Sequence, residues 1–283
     1  MKALSEKALN AVPEAQPFSA WLERVRGAYS SADVALFAQA YDEMRQDVGD
    51  GCTEAGEPWD ECALEMAGIL ADLHLDPASL LAALLLPLAH QPAWDEKAEG
   101  IGQRYGDDAV TLIRGTLRMQ EIHMTPQGVD AAERNRQAEN LRKMLLAMVE
   151  DIRIVLIKLA ERLQTIRRLA SEGDETLRQK TAREVADLFA PLANRLGVWQ
   201  VKWELEDLSL RILEPDEYRR IATLLDERQV DRQRYIENVI SMLKQELGSA
   251  NIKADISGRP KHIYSIWNKM RRKQAEIDAL YDI

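Results

Sequence analysis

Lys261, Ser265 and Lys269 stand four residues apart in the run Lys261-His262-Ile263-Tyr264-Ser265-Ile266-Trp267-Asn268-Lys269. On a helix that spacing puts all three on one face. Gly258 opens the stretch and Pro260 follows. Proline is tolerated in a first helical turn, where its missing N–H would have no partner anyway. A helix starting there would line one groove with two ammonium groups, a hydroxyl and the positive end of the helix dipole, which suits a polyphosphate. Residues Arg259–Lys273 hold six Lys or Arg and no Asp or Glu, in a chain whose net charge is −10. The same residues also describe an exposed helix with ordinary lysines, and spacing alone does not choose between the two.

The elements that must carry this stretch are helical. Aromatics make up 6% of the 283 residues, and Leu, Ala, Glu, Arg and Gln dominate, so the expected class is mainly α. Apolar periodicity predicts two amphipathic helices between Phe18 and Asp47, then helices over Cys62–Leu73, Asp95–Tyr105 and Ala109–Ile122. Leu80–Leu88 is apolar on all sides and is expected to be a central buried helix. Further helices are expected across Ala131–Ala170, Leu177–Leu196, Trp199–Leu213, Asp216–Arg228 and Asp231–Leu247. Asn251–Ile256 alternates and reads as a short strand, and a second strand is expected from Leu280, so a β-α-β unit begins near the end of the sequence.

The acidic balance argues against a chain built to coat nucleic acid or an anionic membrane. Cys52 and Cys62 form no CxxC pair and have no ligand-like histidine spacing, so reduced thiols are expected rather than a zinc site. No signal-peptide pattern opens the sequence. The longest apolar run, Leu80–Ala89, is half the length needed to span a bilayer and contains Pro87. The expected location is the cytoplasm.

Gly258-Arg259-Pro260-Lys261-His262-Ile263-Tyr264-Ser265-Ile266-Trp267, with Tyr281-Asp282 downstream, resembles the opening of the synthetase domain of RelA/SpoT-family guanosine tetra- and pentaphosphate enzymes. Three upstream runs resemble the same family: Lys158-Leu159-Ala160-Glu161-Arg162-Leu163, Ala190-Pro191-Leu192-Ala193-Asn194-Arg195-Leu196-Gly197 and Lys202-Trp203-Glu204-Leu205-Glu206-Asp207-Leu208. The resemblance implies transfer of the β,γ-diphosphate of ATP to the ribose 3′-hydroxyl of GDP or GTP. It implies ATP contacts from Arg259, Lys261, Ser265 and Lys269, and a Mg2+ ligand in Asp282. Such a reaction depends mostly on positioning and charge neutralisation.

The resemblance also implies three parts: a helical HD-type hydrolase domain over 1–178, connecting helices over 179–247, and the start of an α/β nucleotidyltransferase-like synthetase domain over 248–283. In hydrolysing relatives the HD domain holds Mn2+ with histidines and aspartates. Here the first histidine position after Gly56-Glu57-Pro58-Trp59 is Cys62, the His-Asp pair is Leu86-Pro87, and the following Glu-Asp pair is His90-Gln91. The metal aspartate of the Lys-Leu-Ala-Asp-Arg motif is Glu161, and the polar pair after it is Gln164-Thr165. Leucine and proline cannot ligate a hard cation. No Mn2+ is therefore expected, and the pattern resembles the synthetase-only, RelA-type branch, a GTP pyrophosphokinase with a silent, regulatory hydrolase domain.

The sequence stops one residue after Asp282, before the downstream glutamate and guanine-stacking tyrosine of family synthetases. On that ground this polypeptide alone is expected to make no measurable guanosine tetraphosphate. Ribosome and uncharged tRNA, partners of the family, would engage regions outside it, and no direct nucleic-acid binding is expected. Two other readings stay open: a regulatory module whose degenerate pocket holds a guanine nucleotide without cleaving it, and a metal phosphohydrolase with unusual ligands.

Overall fold

The structure is a computed structural model, and it describes residues 17–120, 151–171, 173–226, 229–256, 258 and 261–274. The helices are α1 (Phe18–Val25), α2 (Ser31–Val48), α3 (Trp59–Asp72), α4 (Pro77–Leu85), α5 (Trp94–Tyr105), α6 (Asp107–Gln120), α7 (Ile152–Ser171), α8 (Glu175–Glu184), α9 (Ala190–Arg195), α10 (Trp199–Leu213), α11 (Pro215–Asp226), α12 (Gln229–Ser249) and α13 (Ile263–Lys273). The helices expected between residues 131 and 148, and the strand expected from Leu280, lie outside the described residues.

α4 is the axis of the bundle. Its residues from Ser79 to Leu85 are all buried, because α2, α3, α6 and α7 surround it. That is why its sequence lacks a polar face. Pro77 sits at its first turn, and Asp76 just ahead of it accepts from Ser79 Oγ at 2.6 Å and from Arg153 Nη1 at 2.8 Å. The start of α7 is thereby tied to the start of α4. At the other end Leu86–His90 tightens into a 3-10 turn containing Pro87, a geometry used where an α-helix runs out. One continuous core runs from Trp21 to Ile212.

Local signals mark several helix ends. Ser30 and Asp33 form a reciprocal capping box at α2, and Asp174 caps α8 through the Leu177 N–H at 2.8 Å. Between α8 and α9, Val185–Phe189 is a wider π-helical turn in which the Ala190 N–H reaches back to the Val185 carbonyl. Pro191 follows directly. It has no N–H for the carbonyl four residues earlier, and its ring crowds that position, so a wider turn relieves the conflict.

The strand expected over Asn251–Ile256 does not form. The described residues contain no strand, only an isolated antiparallel bridge between Cys52 and Pro58. Asn251, at φ +55°, instead closes α12. Its N–H bonds the Gly248 carbonyl at 3.1 Å and the Ile252 N–H bonds that of Leu247 at 2.8 Å, the paired bonds of a left-handed helix stop. Beyond it the chain passes against α12 closely enough that a Cβ on Gly258 would lie 2.8 Å from Ile236 Cγ2. A strand needs a neighbouring edge, and no described segment supplies one.

Candidate functional site

A cavity of about 550 Å³ opens where the loop before α3, α3 itself, the 3-10 turn and α7 meet. α3 brings Cys62 and Met66, the 3-10 turn brings Leu86, Pro87 and His90, and α7 brings Glu161, Arg162 and Thr165. The His90 ring stacks on Trp59 at the wall, centroids 4.8 Å apart and planes 18° from parallel. Loss of hydration on burial lowers the His90 pKa below the usual imidazole value; Glu161 pulls it back and Lys158 pushes it further down.

The polar groups around this cavity are already committed to one another. Lys158, 1% exposed, donates to both Glu161 oxygens at 2.9 Å. Burial alone would raise the Glu161 pKa, but Lys158, Arg162 and His90 outweigh it and hold the carboxyl below its usual range. Arg162 lies 3.6 Å from Glu184 and over the Phe189 ring at 5.6 Å. Burial pushes the Cys62 thiol well up, and the neighbouring Glu57 and Glu161 carboxylates push the same way, so Cys62 is a protonated thiol. Behind it Glu57, 4% exposed, accepts from Gln164 Nε2 at 2.5 Å. Burial raises the Glu57 pKa to about 7, against the opposing pull of Gln164 and Arg168.

A hard divalent cation needs several free oxygen or imidazole donors converging on one point. Leu86 and Pro87 offer no side-chain donor, Cys62 is a thiol, and the Glu161 oxygens are held by Lys158. This donor set does not fit Mn2+.

The second cluster lies on α13. Ile266 and Met270 are buried against Ile221 and Leu225 of α11, with Trp267 packed alongside. That burial turns the opposite face outward, where Ser265, Asn268, Lys269, Arg272 and Lys273 line a groove of about 440 Å³ together with Lys261. Lys269 titrates below the usual lysine value, first through lost hydration and then through the Lys261 and Lys273 ammoniums beside it. Crowded cations of this kind bind a polyanion favourably, because it relieves their mutual repulsion.

The HD domain family profile matches residues 37–199, the helices that build the first cavity. The chain is 44% identical over 220 residues to the GTP pyrophosphokinase of Escherichia coli K12, covering 78% of this chain and 29% of that protein. It is 41% identical over 219 residues to the GTP pyrophosphokinase of Photobacterium angustum, with 77% and 29% covered. A probable guanosine-3′,5′-bis(diphosphate) 3′-pyrophosphohydrolase of Synechocystis is 39% identical over 231 residues, covering 81% of this chain and 29% of that one. The chain belongs to the RelA/SpoT family. It spans less than a third of the length of these relatives.

The positions that RelA/SpoT resemblance singled out fall into four groups. Cys62, Leu86, Pro87, His90, Glu161 and Thr165 line one cavity. Gln164 lies behind its wall, buried on Glu57, and Gln91 ends the 3-10 turn without joining the lining. Lys261, Ser265 and Lys269 share the basic groove, while Arg259 and Asp282 lie outside the described residues.

α13 begins at Ile263 rather than, as expected, at Pro260, so Lys261 reaches the groove from the segment before it. The first-turn N–H of Tyr264 is taken by Asp207 Oδ1 at 2.8 Å, so the positive end of the helix is shared with a carboxylate. Two contacts and one burial carried no signal in the sequence. Glu57 and Gln164 are 107 residues apart, Asp207 reaches α13 across 57, and the burial of Lys158 depends on the packing of α7.

Proposed function

We propose that this chain is the N-terminal part of a RelA-type (p)ppGpp synthetase, a GTP pyrophosphokinase that converts ATP and GTP or GDP to AMP and pppGpp or ppGpp in the stringent response. Its HD domain, over residues 1–178, is catalytically silent and regulatory. Residues 179–247 connect it to the synthetase domain that opens at 248. The observation that carries the reading is the contrast between the two clusters: a hydrolase cavity whose acid is neutralised by Lys158, and a solvent-facing phosphate groove around Lys261, Ser265 and Lys269.

In this reading Lys261, Ser265 and Lys269 hold the ATP phosphates with Arg259, and Asp282 holds Mg2+. The guanosine 3′-hydroxyl attacks the β-phosphorus of ATP and gives its proton to a base, the downstream glutamate that the family resemblance implies. The bond from the α,β-bridging oxygen to that phosphorus breaks and AMP departs. The positive charges of α13 offset the charge developing on the phosphoryl oxygens. No Mn2+ occupies the HD cavity. No described helix is long and apolar enough to cross a membrane. A cytoplasmic location, and ribosome and uncharged tRNA as partners of the whole protein, belong to the same proposal.

The test is a transfer assay on the full-length protein with γ-labelled ATP and GTP or GDP. Label should pass to a guanosine product, and Lys269→Ala should suppress it. With guanosine tetraphosphate and Mn2+ alone, diphosphate should not be released. Manganese-dependent release would overturn the reading in favour of hydrolysis.

A second reading is favoured by the volume of the HD cavity and the Trp59–His90 stack at its wall: it holds a guanine nucleotide without cleaving it. Calorimetry with guanosine tetraphosphate on wild type and Trp59→Ala separates the two, since only a stacked nucleotide would lose affinity in the variant.

A further inference from the structure

α13 begins without a cap of its own. His262, at the N-cap position in an extended conformation, makes no side-chain bond to the first turn. The missing acceptor comes from α10, where Asp207 Oδ1 takes the Tyr264 N–H at 2.8 Å. The other carboxylate oxygen lies 3.5 Å from His262 Nδ1. One turn earlier on α10, Trp203 stacks under the His262 ring with centroids 4.4 Å apart. Two side chains of one helix therefore grip the first turn of another.

We infer that Asp207 is a positioning residue for the phosphate groove: from the connecting helix it fixes the axial position and rotation of α13, and so the direction of Ser265 and Lys269. The inference rests on reading α13 as the polyphosphate-binding helix. Among the described residues α13 is otherwise held by apolar packing along its length. Ile266 and Met270 meet Ile221 and Leu225 of α11, and Ile263, Tyr264 and Trp267 lie against Leu210 of α10 and Tyr218 and Ala222 of α11. Apolar contacts allow a helix to slide or roll, whereas a hydrogen bond to a first-turn N–H fixes one point of it. α10 is itself well anchored. Val201, Leu205, Leu208 and Ile212 lie in the main core, and Glu204 forks onto Arg167 of α7 at 2.6 and 2.7 Å.

Charge and positioning give opposite signs, which makes the idea testable. Asp207 places a negative charge beside a basic groove. If that charge were its main effect, any neutral replacement would strengthen polyphosphate binding. If the hydrogen bond matters, Asp207→Asn keeps an acceptor and Asp207→Ala does not.

The experiment is calorimetry of inorganic tripolyphosphate on the 283-residue chain at fixed low salt, with amide hydrogen exchange at Tyr264 read in parallel. Asp207→Ala should exchange Tyr264 about tenfold faster and bind tripolyphosphate about three- to tenfold more weakly, the range expected for loss of a helix cap. Asp207→Asn should bind at least as well as wild type. If Asp207→Ala unfolds α10, His262→Ala, which removes the stack from the other side, should weaken binding in the same direction. Equal or tighter binding by Asp207→Ala, or unchanged exchange at Tyr264, overturns the positioning role while leaving the groove intact. Wild type failing to bind, with Lys269→Ala indistinguishable from it, overturns the reading of α13 itself, and this inference with it.

Discussion

Lys158 grips both oxygens of Glu161 at 2.9 Å from a position 1% exposed. The acid at the position that the family resemblance matches to a hydrolase's metal aspartate thus has an internal counter-ion. Neither partner is cheaply removed alone, because each would leave the other as an uncompensated charge in a dry site. Lys158→Met is expected to destabilise the HD domain by about 3–5 kcal/mol. Lys158→Met with Glu161→Leu should recover most of that loss. Urea unfolding of the two single variants and the double variant measures the coupling.

Glu57 predicts a stability that declines toward neutral pH. Its pKa is about 7 when folded, against an ordinary value of 4.5. Between those values the folded state binds more protons than the unfolded state. This contribution is therefore fully present below the unfolded pKa and is lost as pH rises through the folded one. Over that window the loss amounts to about 3 kcal/mol at most. Glu57→Gln keeps an acceptor for Gln164 and should abolish the trend. The unfolding free energy of wild type minus that of Glu57→Gln should fall as pH rises from 5 to 8, and parallel curves would contradict the assignment.

Metal content gives a direct check on the HD cavity. After equilibration with excess Mn2+ and gel filtration, the protein should retain far less than one ion per chain by atomic emission. Stoichiometric Mn2+ would mean that donors other than Glu161 and Cys62 converge there.

Lys269→Ala should weaken ATP and tripolyphosphate binding by roughly tenfold and flatten its dependence on salt, as expected for removal of one charge-assisted phosphate contact. Asn268→Ala, on the same groove wall but uncharged, should change the affinity less and leave the salt slope alone. Titration calorimetry at two ionic strengths reads both quantities.

The sequence made the helices legible because burial on one face leaves a local period. Leu80–Leu88 was readable as central from its lack of a polar side, and its core position follows from α2, α3, α6 and α7 packing around it. Of the eight motif positions, Cys62, Leu86, Pro87, His90, Glu161 and Thr165 line one cavity, while Gln91 and Gln164 do not. Bonds between distant elements left no such trace. Gln164 on Glu57 and Asp207 on the Tyr264 N–H depend on how α7 and α10 are seated, and no periodicity encodes that. The alternation in Ile252, Ala254 and Ile256 misled in the opposite way. It is a strand pattern, but the described residues offer it no partner, and Asn251 served only to end α12.

The π-helical turn at Val185–Phe189 has a mechanical corollary. It stores one residue more than a regular helix would, and one residue corresponds to a rotation of about 100° about the axis. Deleting a single residue there would therefore close the turn to a regular helix and leave Leu192 and Ala193 facing the core, whereas deleting one from α8 would swing them, and the lead into α10, out of register. The wide turn is a slack link in the chain, able to take up a length change that the straight helix before it would pass on to its far end.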